Sequence, residues 1–259
     1  MSILSKAPLI EAIVEIRWGI HKFEPTESVE ISFPSEDIDF FPGQFHSIAK
    51  KQGFSFVENI NPETPPLPHL VKYRFRREQN MWPCYQIGVG VFTVNQINEG
   101  YDWKPFKEAI LLGLKMLNEG HPLGLKKLPF IYIEMRYQDC FLFTEGETSS
   151  QFLQDKMNII FTFSDNFLKS SNLGKSTQGY HLTFNIETTI PKGMLIINLV
   201  EGLINGHPGF VMNTIVRSDK KSEIVFETDS LEVWLKNAHT IQKHVFNTLI
   251  NPTYTKSFK

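Results

Sequence analysis

Along residues 8 to 18, PLIEAIVEIRW, apolar and polar positions alternate. Ile10, Ala12, Val14, Ile16 and Trp18 fall on one side, and Glu11, Glu15 and Arg17 on the other. A period of two is that of a β-strand with one wetted face. The alternation recurs in VKYRFRR, where Val71, Tyr73 and Phe75 oppose Lys72, Arg74 and Arg76. It recurs again in LPFIYIEMRYQDCFLF, where Ile131, Ile133, Met135 and Tyr137 oppose Tyr132, Glu134 and Arg136. CYQIGVGVFTVNQI, residues 84 to 97, reads as one further strand whose small residues mark a close approach to the backbone. YHLTFNIETTI, GMLIINLVEGLI and GFVMNTIVR read as three strands joined by Pro-Lys-Gly and Asn-Gly-His-Pro-Gly turns, an antiparallel meander.

Elsewhere the period changes to 3.6. From Asp102, an N-cap, Phe106, Ile110, Gly113, Leu114 and Leu117 form one stripe, with Pro105 in the first turn and Gly120 as the stop. SSQFLQDKMNIIF has a rougher stripe of Phe152, Met157, Ile160 and Phe161. The closing helix has Asp229 and Glu232 as a capping box, then Leu231, Leu235, Ala238, Val245 and Leu249, and ends before Pro252. A short helix is expected near residues 44–52, between a looser SEDIDFFPGQF segment and the connector NINPETPPLPHL.

Val14-Glu-Ile-Arg-Trp18 echoes Ile133-Glu-Met-Arg-Tyr137. Each half then runs through strands into a helix bearing Trp103 or Trp234 and ending near Pro122 or Pro252. The expectation is an α+β fold, antiparallel sheet(s) with helices packed on one face, in two pseudo-repeated β-rich/α units. The halves are 1–124, with a Pro-rich surface loop at about 24–68, and 125–259, ending in a long helix.

Composition narrows the function classes. Across 259 residues, 26 Lys and Arg stand against 28 Asp and Glu, so no global field favours nucleic acid or an anionic membrane. Cys84 and Cys140 have no Cys-x-x-Cys spacing, which predicts reduced thiols and neither a zinc site nor a disulfide framework. No signal peptide and no long apolar run can be read, so a cytoplasmic protein without membrane contact is expected.

No motif carries a recognisable chemistry. GKST at 174–177 lacks the first glycine of a phosphate-binding loop, since position 169 is Lys169, and a strand follows it rather than a helix. Gly88-Val-Gly90 has Thr93 where a dinucleotide fingerprint needs glycine. His239 and His244 are five apart, on different helix faces, and His239 alone reads as a buried polar or capping group. There is no G-x-S-x-G elbow. No catalytic residue, cofactor or metal is therefore expected.

What remains is the polar side of the strands. Glu11, Glu15, Arg17, Lys72, Arg74, Arg76, Glu134, Arg136 and the His181-Thr183-Asn185-Glu187 series should share one open sheet face if the helices cover the other. Cross-strand Glu–Arg pairing accounts for such a face structurally. The functional reading makes it a docking surface, with Arg17, Lys72, Arg74, Arg76, Tyr132, Glu134 and Arg136 as partner-binding residues, aided by Phe40 and Phe41. The alternative is an RNA or single-stranded DNA binder, with Lys72, Arg74, Arg76 and Arg77 on phosphates and Tyr73 or Phe75 stacking on bases. A third reading assembles an enzyme from His181, Glu187 and His207.

Several stretches taken together resemble the TIGR04255 family of sporadically distributed bacterial proteins. They are Pro8-Leu-Ile-Glu11 leading into EIRW, QIGVGVFTVN with Asn95, Tyr101-x-Trp103-x-x-Phe106 opening a helix, the MRY strand, and AH-x-I-x-K-x-V-F on the last helix. The resemblance covers nearly the whole chain, with Asp139 standing where an Asn is expected after the Arg-Tyr pair. It brings no catalytic residues. It implies a bacterial cytosolic protein, and its patchy distribution is that of accessory genes such as toxin-antitoxin or anti-phage systems. The combined expectation is a non-enzymatic protein-binding component of such an assembly, in a hetero-complex or homo-oligomer.

Overall fold

The alternating stretch at the N-terminus becomes strand β1 (Leu9–Trp18), in the middle of a sheet. The computed structural model describes residues 8–23, 29–97, 100–161, 167, 179–219 and 228–258. After β1 come β2 (Ile20–Phe23), β3 (Val29–Ser32), α1 (Glu36–Asp39), α2 (Phe41–Lys51) and β4 (Phe56–Asn59). Then follow β5 (Val71–Arg76), β6 (Cys84–Gly88), β7 (Val91–Ile97) and α3 (Trp103–Gly120). The second half has β8 (Phe130–Leu142), α4 (Ser149–Met157), β9 (His181–Thr189), β10 (Lys192–Ile204), β11 (His207–Ser218), α5 (Thr228–Leu249) and α6 (Pro252–Thr255).

Nine strands form one antiparallel sheet in the order β4-β5-β6-β7-β1-β8-β11-β10-β9, while β2 and β3 pair separately. The fold is α+β. The two Glu-x-Arg strands, β1 and β8, lie side by side with Glu15 opposite Glu134. Outward from β1 the order is β7-β6-β5-β4, and outward from β8 it is β11-β10-β9. In chain order α1 and α2 lie between β3 and β4 and the long α3 follows β7, while α4 follows β8 and the long α5 follows β11.

The helices lie on the side of the sheet that holds Val14, Ile16 and Trp18. Phe45 of α2 meets Phe75 and Phe92. Gly113 of α3 comes so close that a Cβ there would lie 2.7 Å from Tyr85 and 2.9 Å from Phe92. Phe152 of α4 packs against Phe141 and Phe210. On α5 the Gln242 amide donates to the Met135 and Thr214 carbonyls at 2.9 and 2.7 Å. One apolar core runs under both halves, from Phe45 to Phe210.

Several local expectations are corrected. Residues 84–97 form two strands, because Gly90 takes a left-handed φ of 69° and turns the chain. Gly88 is the close approach, its absent Cβ pointing at the Leu70 carbonyl only 2.0 Å away. The stretch 24–68, read as a surface loop around a short helix near 44–52, holds that helix as α2 and also β3, α1 and β4. Helix α4 stops at Asn158, which is left-handed with φ of 49°, so Ile160 and Phe161 fall outside it and are exposed. Asp229 lies inside the first turn of α5 rather than capping it, and Glu232 binds Lys107 at 2.7 Å instead of closing a box. Phe41 is fully buried beneath α2, whereas Phe40 stays exposed. The GKST segment lies outside the described residues.

Candidate functional site: the uncovered polar sheet face

Among the described residues no helix packs on the opposite face. The pairing registers draw a row across it: Arg74, Gln86, Thr93, Glu15, Glu134 and Arg217 stand opposite one another on β5, β6, β7, β1, β8 and β11. The charged residues gather in two groups along this row.

The central group is built on β1, β8 and β11. Glu134 is 1% exposed and accepts from two arginines: Arg136 on its own strand, and Arg217, whose Nε and Nη2 reach Oε2 at 2.8 and 2.7 Å. Arg17 Nε donates to Glu15 Oε1 at 2.5 Å, and the Tyr132 hydroxyl donates to the same oxygen at 3.4 Å. The Tyr132 ring has Arg217 at 4.6 Å and Arg17 at 5.6 Å from its centroid, a double cation–π contact. Burial, reinforced by the Glu134 carboxylate, pushes the phenol up to about 12, so it remains a neutral donor at physiological pH. Beside this group the Asn95 amide donates to Glu11 at 2.8 Å. With Glu11 included, three carboxylates and three guanidiniums balance.

The second group sits on β4 and β5, three strand spacings or roughly 14 Å from β1. Glu58 takes Arg76 at 3.0 Å and Arg74 at 3.9 Å. Arg76 is only 5% exposed and its guanidinium lies over Trp82 at 4.8 Å. Lys72 leaves the row, because the ladder slips between Val71 and Tyr73. Its ammonium donates instead to the carbonyls of Asn61, Pro62 and Thr64, pinning that loop. The structure therefore brings Arg17, Tyr132, Glu134 and Arg136 together, adds Glu15 and Arg217, and sets Lys72, Arg74 and Arg76 apart.

The residues named for an assembled enzyme site lie apart. His181 and Glu187 stand at opposite ends of β9, six residues or roughly 20 Å apart, and His207 starts β11 opposite Ile204. Burial pushes the Cys84 thiol up to about 11, which keeps it protonated and unreactive at neutral pH. Among the described residues no three His, Cys, Asp or Glu side chains gather as metal ligands. None of the described helices is long and apolar enough to cross a membrane.

Two polar clusters lie in the core; of their members the sequence marked only His239, read as a buried polar or capping group. Asp37 of α1 accepts from Trp18 Nε1 at 2.5 Å and sits 2.8 Å from His121 Nε2, tying β1 to the end of α3. Tyr137 bonds both Tyr101 and, at 2.9 Å, His239 Nδ1, while the His239 ring stacks on Trp103 at 3.9 Å. Burial, with Lys243 nearby, pulls His239 down to about 4. On the same side of β8 the Asp139 carboxyl, 5% exposed, has no hydrogen-bond partner among the described residues, and burial lifts it to about 7.

Comparison with family models, with curated proteins and with solved structures finds no match to this chain.

Proposed function

We propose that the chain is a non-enzymatic protein-binding component, docking a partner through the uncovered face of its sheet. The observation that carries this reading is Tyr132, held between Arg17 and Arg217 with every guanidinium of the group already oriented by Glu15 or Glu134. Tyr and Arg dominate interface energetics, and side chains fixed before binding lose little entropy on docking. The balanced charges suit a mixed-charge protein surface better than a polyanion, which rewards uncompensated cations. The nucleic-acid alternative has less to draw on: Lys72 is spent on loop carbonyls, and Arg76 is buried against Glu58 and Trp82.

In this proposal the resemblance of the motifs supplies the setting, a subunit, sensor or antitoxin-like partner of a bacterial defence or toxin-antitoxin assembly. The matching strand orders on either side of β1 and β8 belong to the proposal too, as two pseudo-repeated units sharing one sheet. A tagged chain recovered from its native host should bring one protein in near-stoichiometric yield, and Tyr132→Ala and Arg217→Gln should each weaken its recovery, with circular dichroism of both variants unchanged. Recovery as a lone chain, or the same partner at the same yield with both variants, would overturn the reading.

A further inference from the structure

The sheet has two very different edges. At one end β4 offers only four residues, Phe56–Asn59. At the other, β9 runs nine residues and, among the described residues, is paired only on its inner side, to β10. An unpaired edge is a template for another strand, and proteins blunt it with shortness, lysine, proline or a bulge. Strand β9 contains neither Lys nor Pro, and its register with β10 has no slip. On its helix-facing side Phe184 and Ile186 are 40% and 50% exposed, beside the half-buried Leu182.

This strand complements itself. Placed antiparallel to a copy with Phe184 on the two-fold axis, Phe184 faces Phe184 and Ile186 faces Leu182. On the other side Glu187 faces His181 and Asn185 faces Thr183. Apolar side chains meet apolar ones, and the strand's one carboxylate meets an imidazole, the pairings that favour cross-strand association. With Asn185 on the axis instead, Ile186 would still face Phe184, but Leu182 would face Thr188, Glu187 would face Thr183 and His181 would face Thr189, so the carboxylate–imidazole pairing is lost and one apolar pairing becomes mixed.

We infer that β9 pairs with β9 of a second copy, joining two nine-stranded sheets into one through an isologous two-fold contact. The short β4 edge leaves the assembly closed at two chains. Because the axis stands perpendicular to the sheet, both polar faces point the same way. The pair therefore presents two Tyr132 groups on one side, which suits a partner with repeated epitopes. The inference stands independently of what docks there.

Light scattering coupled to size exclusion should give twice the 29.9 kDa chain mass for the wild type. Phe184→Lys with Ile186→Lys should halve it while circular dichroism stays unchanged, since both side chains are exposed. In a Cys140→Ser background, Phe184→Cys should oxidise to a covalent dimer. Asn185→Cys should not, because its copy would lie on the diagonal, about 7–8 Å away and beyond disulfide reach. A wild type that stays at single-chain mass, a dimer that survives both lysines, a mass above two chains, or cross-linking through Asn185→Cys would each overturn the inference.

Discussion

At the scale of single residues, Glu134 is the side chain on which the polar face depends. It is nearly fully buried and holds both Arg136 and Arg217. Removing a buried partner leaves charge uncompensated, so Glu134→Ala should cost about 3 kcal/mol in urea unfolding, against less than about 1 kcal/mol for an exposed pair such as Lys115–Glu119. Equal small losses at both sites would show that the group is not preorganised. Asp139 and His239 give a pH signature. The Asp139 carboxyl rises from 3.8 to about 7 on folding, so the native state binds its proton more tightly and stability falls as pH climbs between these values. His239 drops from 6.5 to about 4, so its contribution is present above pH 6.5 and is lost as pH falls through 4. The two slopes oppose one another between pH 4 and 6.5. Asp139→Asn should therefore unmask a stability that rises with pH in that window, and should stabilise the protein above pH 7 by up to about 4 kcal/mol. Denaturant midpoints across this range check it; an unchanged pH profile would contradict it.

At the scale of elements, what the sequence made legible tracks how one-sided each element is. Helix α3 has one buried stripe and a capping Asp102 that accepts from Lys104 at 3.2 Å, and both were readable. Strands β6 and β7 are buried on both faces, so their sequence shows no alternation and hides the turn between them. The slip in β5 is a single residue, enough to send Lys72 to a loop and invisible to a period-two reading. Arg217 escaped notice because its strand is apolar on both sides, and it joins the site only through its register with Glu134. Two missed residues did leave a trace. Gln242 fills the one gap in the α5 stripe between Ala238 and Val245, and Asp139 falls on the apolar side of β8. The close approach at Gly88 yields a test at this scale. Gly88→Ala puts a methyl against the Leu70 carbonyl and should cost about 2–3 kcal/mol by forcing the 68–70 loop off the sheet. Loss of the amide protection that His69 gains from Val89 would report it, and a variant as stable as wild type with that bond intact would contradict it.

At the scale of the whole molecule, the two halves share one sheet, so the polar face is continuous across the seam where β1 meets β8. The helices and nearly all the Phe-rich core lie beneath it, while on the polar side Arg17, Arg136 and Arg217 keep part of their side chains exposed above the buried Glu15 and Glu134. That division explains how the chain holds a polar, aromatic-centred surface in place. Hydrogen–deuterium exchange of the chain with and without the partner recovered from its host addresses this directly. Protection is expected on binding in residues 13–17, 130–136 and 213–217, the three strands that meet at Tyr132. Protection confined to α2, α3 and α5, with those strands unchanged, would contradict the account.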